Sequence, residues 1–182
     1  MYSGKNRTAL LSQQLIGDAM MRLLNRLAFD QISISDLCRE AEISRQTFYS
    51  LFDSKENVVI YELLSSHCYD PRACCSGMVS YQDFLRSWCR YVVDNRDILS
   101  ILARNHIMHC LYDSQYLTFS GCSCFASRRS PAEQAYIADY LASALTSLAR
   151  TYVARGGVDS LEDLQHMACM LFSGSYLPDL FS

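Results

Sequence analysis

The chain lacks an excess of positive charge. Its 182 residues carry 16 lysines and arginines against 19 aspartates and glutamates, a formal net charge of -3 at pH 7. Proteins that coat nucleic acid without sequence preference are strongly basic overall. That class is therefore excluded, and any contact with nucleic acid must be confined to a local surface.

Long apolar runs are also missing, although 50% of the residues are hydrophobic. A helix that crosses a membrane needs roughly 18 consecutive apolar residues, and charged residues interrupt every apolar stretch well before that length. The amino-terminal stretch MYSGKNRTALL has no charged-then-apolar signal pattern. We therefore expect a cytoplasmic protein with no membrane-bound part. The nine cysteines are scattered through helical patterns, which fits free thiols in a reducing compartment.

Sustained strand-like alternation and internal repeats are absent as well. Apolar residues recur instead at positions i, i+3, i+4 and i+7, the spacing of amphipathic helices. With the capping and breaking residues between them, these patterns predict an all-α fold of about nine helices and loops at 67–79 and 121–130. Helical patterns cover residues 8–28, 34–41, 45–52, 55–68, 80–95, 98–117, 131–155 and 160–176.

The stretch from Ile32 to Phe52, ISISDLCREAEISRQTFYSLF, contains two short helical patterns with a tight joint between them. Ser33 and Asp36 form a capping-box-like start for the first helix, and Ser44 caps the second. The outer face of the second helix keeps hydroxyl, amide and guanidinium groups. Because such groups hydrogen-bond to base edges and phosphates, the pattern predicts a helix-turn-helix unit that binds DNA.

The segment 33–56 resembles the DNA-binding segment of the TetR family of bacterial transcriptional regulators. With the preceding helix included, residue types and spacings agree over about 45 residues. The matching positions are the isoleucine and aspartate that open the first short helix, Ala41-Glu42-Ile43-Ser44, Thr47-Phe48-Tyr49, Phe52 and Ser54-Lys55-Glu56. The resemblance implies an amino-terminal three-helix DNA-binding domain, residues 1–56, and a larger helical domain for effector binding and dimerisation, residues 57–182.

Polar residues of this segment are the candidate DNA contacts. Arg45 and Gln46 are of the types that bind base edges bidentately, and the hydroxyl residues beside them suit phosphates or a thymine methyl group. The predicted set is Ser35, Ser44, Arg45, Gln46, Thr47, Tyr49, Ser50 and Lys55. The alternative is an ordinary solvated helix face. Because one such module contacts too little DNA to be selective, we expect a homodimer on a double-stranded operator.

Glu42 departs from the family pattern, in which glycine, or sometimes asparagine, occupies the turn. A residue other than glycine at positive φ costs roughly 1 kcal/mol. We therefore expect a turn that is slightly strained or opens differently.

The resemblance also implies two features of the larger domain. Its last two helices, residues 131–155 and 160–176, pair with their copies in a four-helix bundle. Aromatic residues that precede them wall a pocket for a small-molecule effector of unknown identity. The predicted ligand-binding set is Phe84, Trp88, Tyr91, Met108, His109, Tyr112 and Tyr116. Ordinary core packing is the alternative for each of these residues.

Other readings of the larger domain concern its histidines and cysteines. His106, His109 and Cys110 lie within one helical turn and Cys122-Ser123-Cys124 follows, so a metal- or redox-responsive regulator is an alternative. The spacing matches no standard zinc pattern, so no metal and no cofactor is assigned. With no nucleophile motif, phosphate loop or paired acid, an enzyme is not expected. The leading hypothesis is a dimeric repressor released by an effector, and a helical interaction protein without a small ligand is a further alternative.

Overall fold

The computed structural model describes residues 1–2, 4–65, 80–122 and 129–174. Within these ranges the protein is helical and contains no strand, which confirms the predicted fold class. A 3₁₀ helix, Phe29–Gln31, follows the first α-helix. The nine α-helices of the described ranges are α1 (Arg7–Leu24), α2 (Ile34–Glu40), α3 (Arg45–Leu51), α4 (Lys55–Ser65), α5 (Tyr81–Asp94), α6 (Arg96–Arg104), α7 (His109–Ser120), α8 (Pro131–Ala154) and α9 (Leu161–Ser173).

Serine residues begin most of these helices as the sequence predicts. The Ser33 hydroxyl accepts a hydrogen bond from the Asp36 amide at 3.1 Å, and the Asp36 carboxylate accepts one from the Ser33 amide at 3.3 Å. The same reciprocal capping box starts α5 and α8, at Ser80 and Ser130. Because four amides at a helix start have no partner within the helix, these caps fix where each helix begins.

The amino-terminal helices α1 to α3 pack around one group of fully buried side chains. Ile16 and Met20 of α1 meet Leu37 of α2 and Phe48 of α3, all 0% exposed. On the surface, Glu40 binds Arg22 at 2.9 Å and Arg26 at 3.0 Å, so an ion-pair triad joins α1 to α2.

Helix α4 belongs to both parts of the chain by its contacts. It packs against α1 on one side and against α7 on the other. Gly17 of α1 lets the Glu62 side chain of α4 approach closely, because a Cβ at residue 17 would lie 1.7 Å from Glu62 Oε1. Burial, together with the nearby Asp18 carboxylate, raises the pKa of Glu62. The buried apolar residues of both parts accordingly form one continuous cluster.

The larger part is arranged around α5, α7 and α8. Helix α7 packs chiefly on α8, α5 packs on α9, and α6 packs on α8. Leu85 and Trp88 of α5 are buried at 0% and 2% exposure, in the centre of this layer. The predicted loop 67–79, most of the loop 121–130 and the predicted end of the last helix at 176 lie outside the described residues.

The prediction of one continuous helix over 98–117 is wrong. The chain forms α6 and α7 instead, separated at Asn105–Met108, where His106 adopts a left-handed conformation with φ 58°. The apolar spacing crosses the break undisturbed because Leu102, Ile107 and Leu111 are all buried in the same core. None of the helices in the described ranges is long and apolar enough to cross a lipid bilayer.

Candidate DNA-binding site

The joint between α2 and α3 is a Schellman motif, in which a left-handed residue ends the helix. The Ile43 amide donates to the Cys38 carbonyl at 3.0 Å, and the Glu42 amide donates to the Arg39 carbonyl at 3.3 Å. Glu42 has φ 55°, the conformation that glycine adopts most readily in such turns. The turn therefore takes the left-handed form, and Glu42 carries the conformational strain.

The first residues of α3 are held by its amino-terminal cap. The Ser44 hydroxyl accepts from the Thr47 amide at 3.0 Å and lies 2.8 Å from the Thr47 hydroxyl. The Ser50 hydroxyl donates to the Thr47 carbonyl at 2.7 Å. The predicted DNA contacts Ser44, Thr47 and Ser50 therefore bond to the helix itself, and their oxygens keep free lone pairs that can accept further bonds.

Arg45, Gln46 and Tyr49 form the outward face of α3. All three side chains are exposed, and none makes a hydrogen bond or ion pair with the described residues. The Tyr49 ring, 53% exposed, meets the ring of buried Phe48 edge-on at 5.5 Å between centroids. This contact directs the phenol outward, so the face presents a guanidinium, an amide and a phenol to solvent.

Lys55 lies in a different environment from these residues. Its Nζ donates to the Phe29 carbonyl at 2.6 Å and to the Ile32 carbonyl at 3.1 Å, and it sits 4.2 Å from the centroid of the Phe29 ring. An ammonium has three donors, so one remains for a phosphate. Ser35 of α2, which also belongs to the predicted set of DNA contacts, is exposed.

Ion pairs neutralise two carboxylates of α2, those of Glu40 and Asp36. Hydrogen bonds from Arg22 and Arg26 hold the pKa of Glu40 below its usual value. Hydrogen bonds from Ser33 similarly lower the pKa of Asp36, which also pairs with Arg39. Neither of these carboxylates pairs with the Arg45 guanidinium, which stays exposed.

Sequence reasoning missed how the amino terminus is held. The Tyr2 amide donates to the Leu51 carbonyl at the end of α3 at 2.8 Å, and Gln13 Nε2 donates to the Tyr2 carbonyl at 3.1 Å. These bonds tie the first residues of the chain to α1 and α3. No local pattern signals them, since both use the backbone of Tyr2.

Residues 16–61 match the family model described as bacterial regulatory proteins, tetR family. This segment, α1 to α4, is therefore a tetR-family DNA-binding segment. It is 26% identical over 167 residues, 87% of each chain, to the HTH-type dhaKLM operon transcriptional activator DhaS of Lactococcus lactis subsp. lactis (strain IL1403). The solved structure of dihydroxyacetone kinase operon activator DhaS superposes with a TM-score of 0.52 and 22% sequence identity. The match includes 91% of this chain and 96% of that one, so the two proteins share the fold.

These matches support a DNA-binding transcriptional regulator of the TetR type. The relative from Lactococcus lactis is named as a transcriptional activator.

The predicted effector residues fall into different environments. Phe84, Trp88 and Tyr91 of α5 are buried in the core, whereas His109 is exposed. Met108, Tyr112 and Tyr116 are half-buried. The rings of Tyr112 and Tyr116 stack with 6.0 Å between their centroids. The Tyr112 hydroxyl donates to Asp139 Oδ1 at 2.5 Å, and this bond raises the pKa of Tyr112 to about 12.

A groove of about 620 Å³ lies elsewhere, between α8 and α9. None of the residues predicted to bind the effector lines it. Its walls combine apolar side chains such as Leu148, Met167 and Phe172 with the paired Arg155 and Asp159. The assignment of the aromatic residues to an effector stays a prediction.

The histidine and cysteine cluster does not assemble in the part of the chain that the structure describes. There, no three or more His, Cys, Asp or Glu side chains converge on a point that suits a metal ion. Cys110 is buried, and burial raises the pKa of its thiol to about 12, whereas His106 and His109 are exposed. Ser123 and Cys124 lie outside the described residues.

Proposed function

We propose that the chain is a homodimeric repressor that reads a DNA operator with two copies of α3 and is released by a small-molecule effector. The outward face of α3 carries the proposal. Arg45 and Gln46 follow the capped turn directly, expose their donors and have no partner among the described residues. Arginine and glutamine are the residue types that bind guanine and adenine edges bidentately.

Selection of bound DNA from a random duplex pool tests this reading. We expect an inverted repeat whose half-sites are separated by about 34–36 Å or a multiple of it, because two-fold symmetry sets that distance. Recovery of sequences without symmetry or preference would contradict the proposal. Compounds are then screened for release of the selected duplex, measured by fluorescence anisotropy.

The surface formed by α8 and α9 is the proposed dimer interface. Large side chains stand exposed on these helices: Tyr136 at 80%, Tyr140 at 58%, Met167 at 42% and Leu171 at 38%. Tyr140 and Leu171 also line the groove between the two helices, which a second copy would fill. Exposed apolar patches of this kind mark association surfaces. Sedimentation equilibrium at micromolar concentration should give twice the chain mass, and a monomer would count against the interface.

We call helices α1 to α3 the reading head. A hydrogen-bonded link between the reading head and the larger helical domain, in which the effector is expected to bind, supports the release step. The Phe29 amide donates to Asn105 Oδ1, at the end of α6, with a distance of 2.7 Å. The Phe29 carbonyl accepts from Lys55, the first residue of α4. Phe29 is thus fixed by both helices a few residues before α2 begins. An effector that binds one arrangement of α4 and α6 more tightly than another changes the position of α2 and α3 through this link.

Activation of transcription is a second candidate for the effect of this regulator. The relative from Lactococcus lactis is described as an operon activator, at 26% identity over most of both chains. Transcription in vitro from a promoter that carries the selected operator decides between the two. A repressor lowers transcript yield and the effector restores it, whereas an activator raises the yield above that of polymerase alone.

A further inference from the structure

Gln115 of α7 is a buried amide whose hydrogen-bonding atoms are unpaired. The residue is 8% exposed, and neither its Oε1 nor its Nε2 has a partner within the described part of the chain. Buried amides are nearly always paired, because an unpaired one gives up its bonds to water and gains none. Gln13, also buried, follows that rule by donating to the Tyr2 carbonyl at 3.1 Å.

The neighbours of Gln115 on α7 are apolar or already satisfied. Leu111 and Phe119, one turn before and one turn after it, are 1% and 2% exposed. The Ser114 hydroxyl donates to the Leu111 carbonyl at 2.8 Å. The Phe119 ring meets the Phe84 ring edge-on at 6.2 Å, so the face that carries Gln115 continues into the predicted aromatic set. Gln115 is thus an unpaired polar group among apolar ones.

The chemistry of this face selects an uncharged partner. No Asp, Glu, Lys or Arg side chain is fully buried among the described residues, and Leu111, Ser114 and Phe119 beside Gln115 are uncharged, so this helix face offers no counter-charge to an ionic ligand. A side-chain amide offers two donors and one acceptor oxygen. A hydroxyl or carboxamide group matches both functions at once, because it also donates and accepts.

We propose that Gln115 is the hydrogen-bonding anchor of the effector and that the effector is a small uncharged molecule bearing a hydroxyl or carboxamide group. This assignment rests on the proposed effector-responsive function. Gln115 was not among the residues that the sequence predicted, because its neighbours at helical spacing are apolar and the pattern predicts only a core face.

Two glutamine-to-methionine variants of the full chain test the unpaired state. Methionine has a similar length and no amide. Gln115→Met should raise Tm by about 2–4 °C, since it removes an unpaired buried amide, and Gln13→Met should lower Tm by a similar amount, since it removes a bonded one. A fall in Tm for both variants would show that Gln115 is satisfied, by water for example, and would overturn the proposal.

Fragment binding tests the ligand class. The side-chain NH₂ signals of Gln115 in ¹⁵N-labelled protein are assigned by their absence from Gln115→Met. Acetamide and ethylene glycol, at about 100 mM because such small molecules bind weakly, should shift these signals, and acetate and methylammonium should not. Shifts with the charged pair alone, or with none of the four probes, would overturn the inference.

The release assay separates this inference from the function on which it rests. Release is expressed as the ratio of operator Kd with and without a releasing compound, so that a general change in DNA affinity cancels. Gln115→Met should abolish a ratio that Gln13→Met retains. If both variants keep the ratio, Gln115 is not the anchor although the regulator still responds to an effector. If no compound releases the unmodified protein while acetamide shifts the Gln115 signals, the anchor stands and release by an effector fails.

Discussion

The turn between α2 and α3 and the turn between α6 and α7 have the same construction. In the first, Ile43 bonds back to Cys38 across Glu42, and in the second, Ile107 bonds back to Leu102 at 3.0 Å across His106. Both middle residues are left-handed without being glycine. The end of α8 has the same bonds but places Gly156 at the left-handed position.

The difference between the turns lies in what each one holds in place. The first presents Arg45 and Gln46 to solvent, and the second places Asn105 against the amide of Phe29 in the reading head. One turn therefore positions groups for DNA directly, while the other positions the domain that carries them. In both places a strained helix end precedes residues that must point in one fixed direction.

The largest expected effect concerns the residues that the first turn presents. Arg45→Ala should weaken binding to the selected operator by roughly 5- to 150-fold, the value of one bidentate base contact. It should also relax the preference at one base pair of each half-site. Arg90→Ala, which removes an exposed arginine of α5, is the matched control and should leave the Kd unchanged. Equal Kd values for the two variants would remove Arg45 from the interface.

The second expected effect concerns the hydrogen bond between Asn105, at the turn between α6 and α7, and the Phe29 amide. Asn105→Ala leaves the Phe29 amide without its partner and should lower the free energy of unfolding by about 1–3 kcal/mol. Asn95→Ala is the matched control, because both asparagines end a helix and donate to the carbonyl four residues earlier at 2.9 Å. Only Asn105 reaches the reading head, so urea unfolding should show the larger loss for Asn105→Ala.

Replacing the left-handed residue of each turn with glycine should have the same effect on stability in both turns. Glu42→Gly and His106→Gly should each stabilise the protein by about 1 kcal/mol, which raises Tm by about 2–4 °C. Glu42→Ala separates conformation from charge, since alanine keeps the strain and should bring no gain. If alanine and glycine stabilise equally, the cost at residue 42 is electrostatic.

The smallest expected effect comes from the difference between the amino-terminal caps of α2 and α6. Hydrogen bonds from Ser33 lower the pKa of Asp36, whereas no side chain caps α6. A lowered folded-state pKa gives stability that is present above the unfolded value and lost as the pH falls through the folded value. Hydrogen exchange of the first α2 amides should therefore accelerate below about pH 4, relative to those of α6. Asp36→Ala should abolish that difference.

The first of the two turns was predictable and the second was not, for physical reasons. Around Glu42 the capping serines and the run of matching family residues predict both helices and the turn between them, although the sequence left open whether that turn is strained or opens differently. At residues 105–108 neither glycine nor proline marks a break, and the apolar spacing runs on because α6 and α7 bury residues in the same core. Only packing decides that Asn105 turns toward Phe29.

Hydrogen bonds between residues far apart in the sequence could not be predicted either. Lys55 was predicted as a DNA contact from its place in the motif, but its bonds to the carbonyls of Phe29 and Ile32 depend on the tertiary fold. The same holds for Tyr112 and its bond to Asp139. The exposed face of α3 was predictable because exposure follows from helical spacing alone.

The double role of α4 sets a rule for building chimeric regulators. A predicted domain boundary at residue 56 would cut α4 after its second residue, yet α4 packs on both α1 and α7. A reading head grafted onto a foreign sensor must therefore bring Val58, Val59 and Leu63 with it, or the graft exposes apolar surface on both sides of the seam. Transplanted modules from this chain should include α4 as far as Ser65.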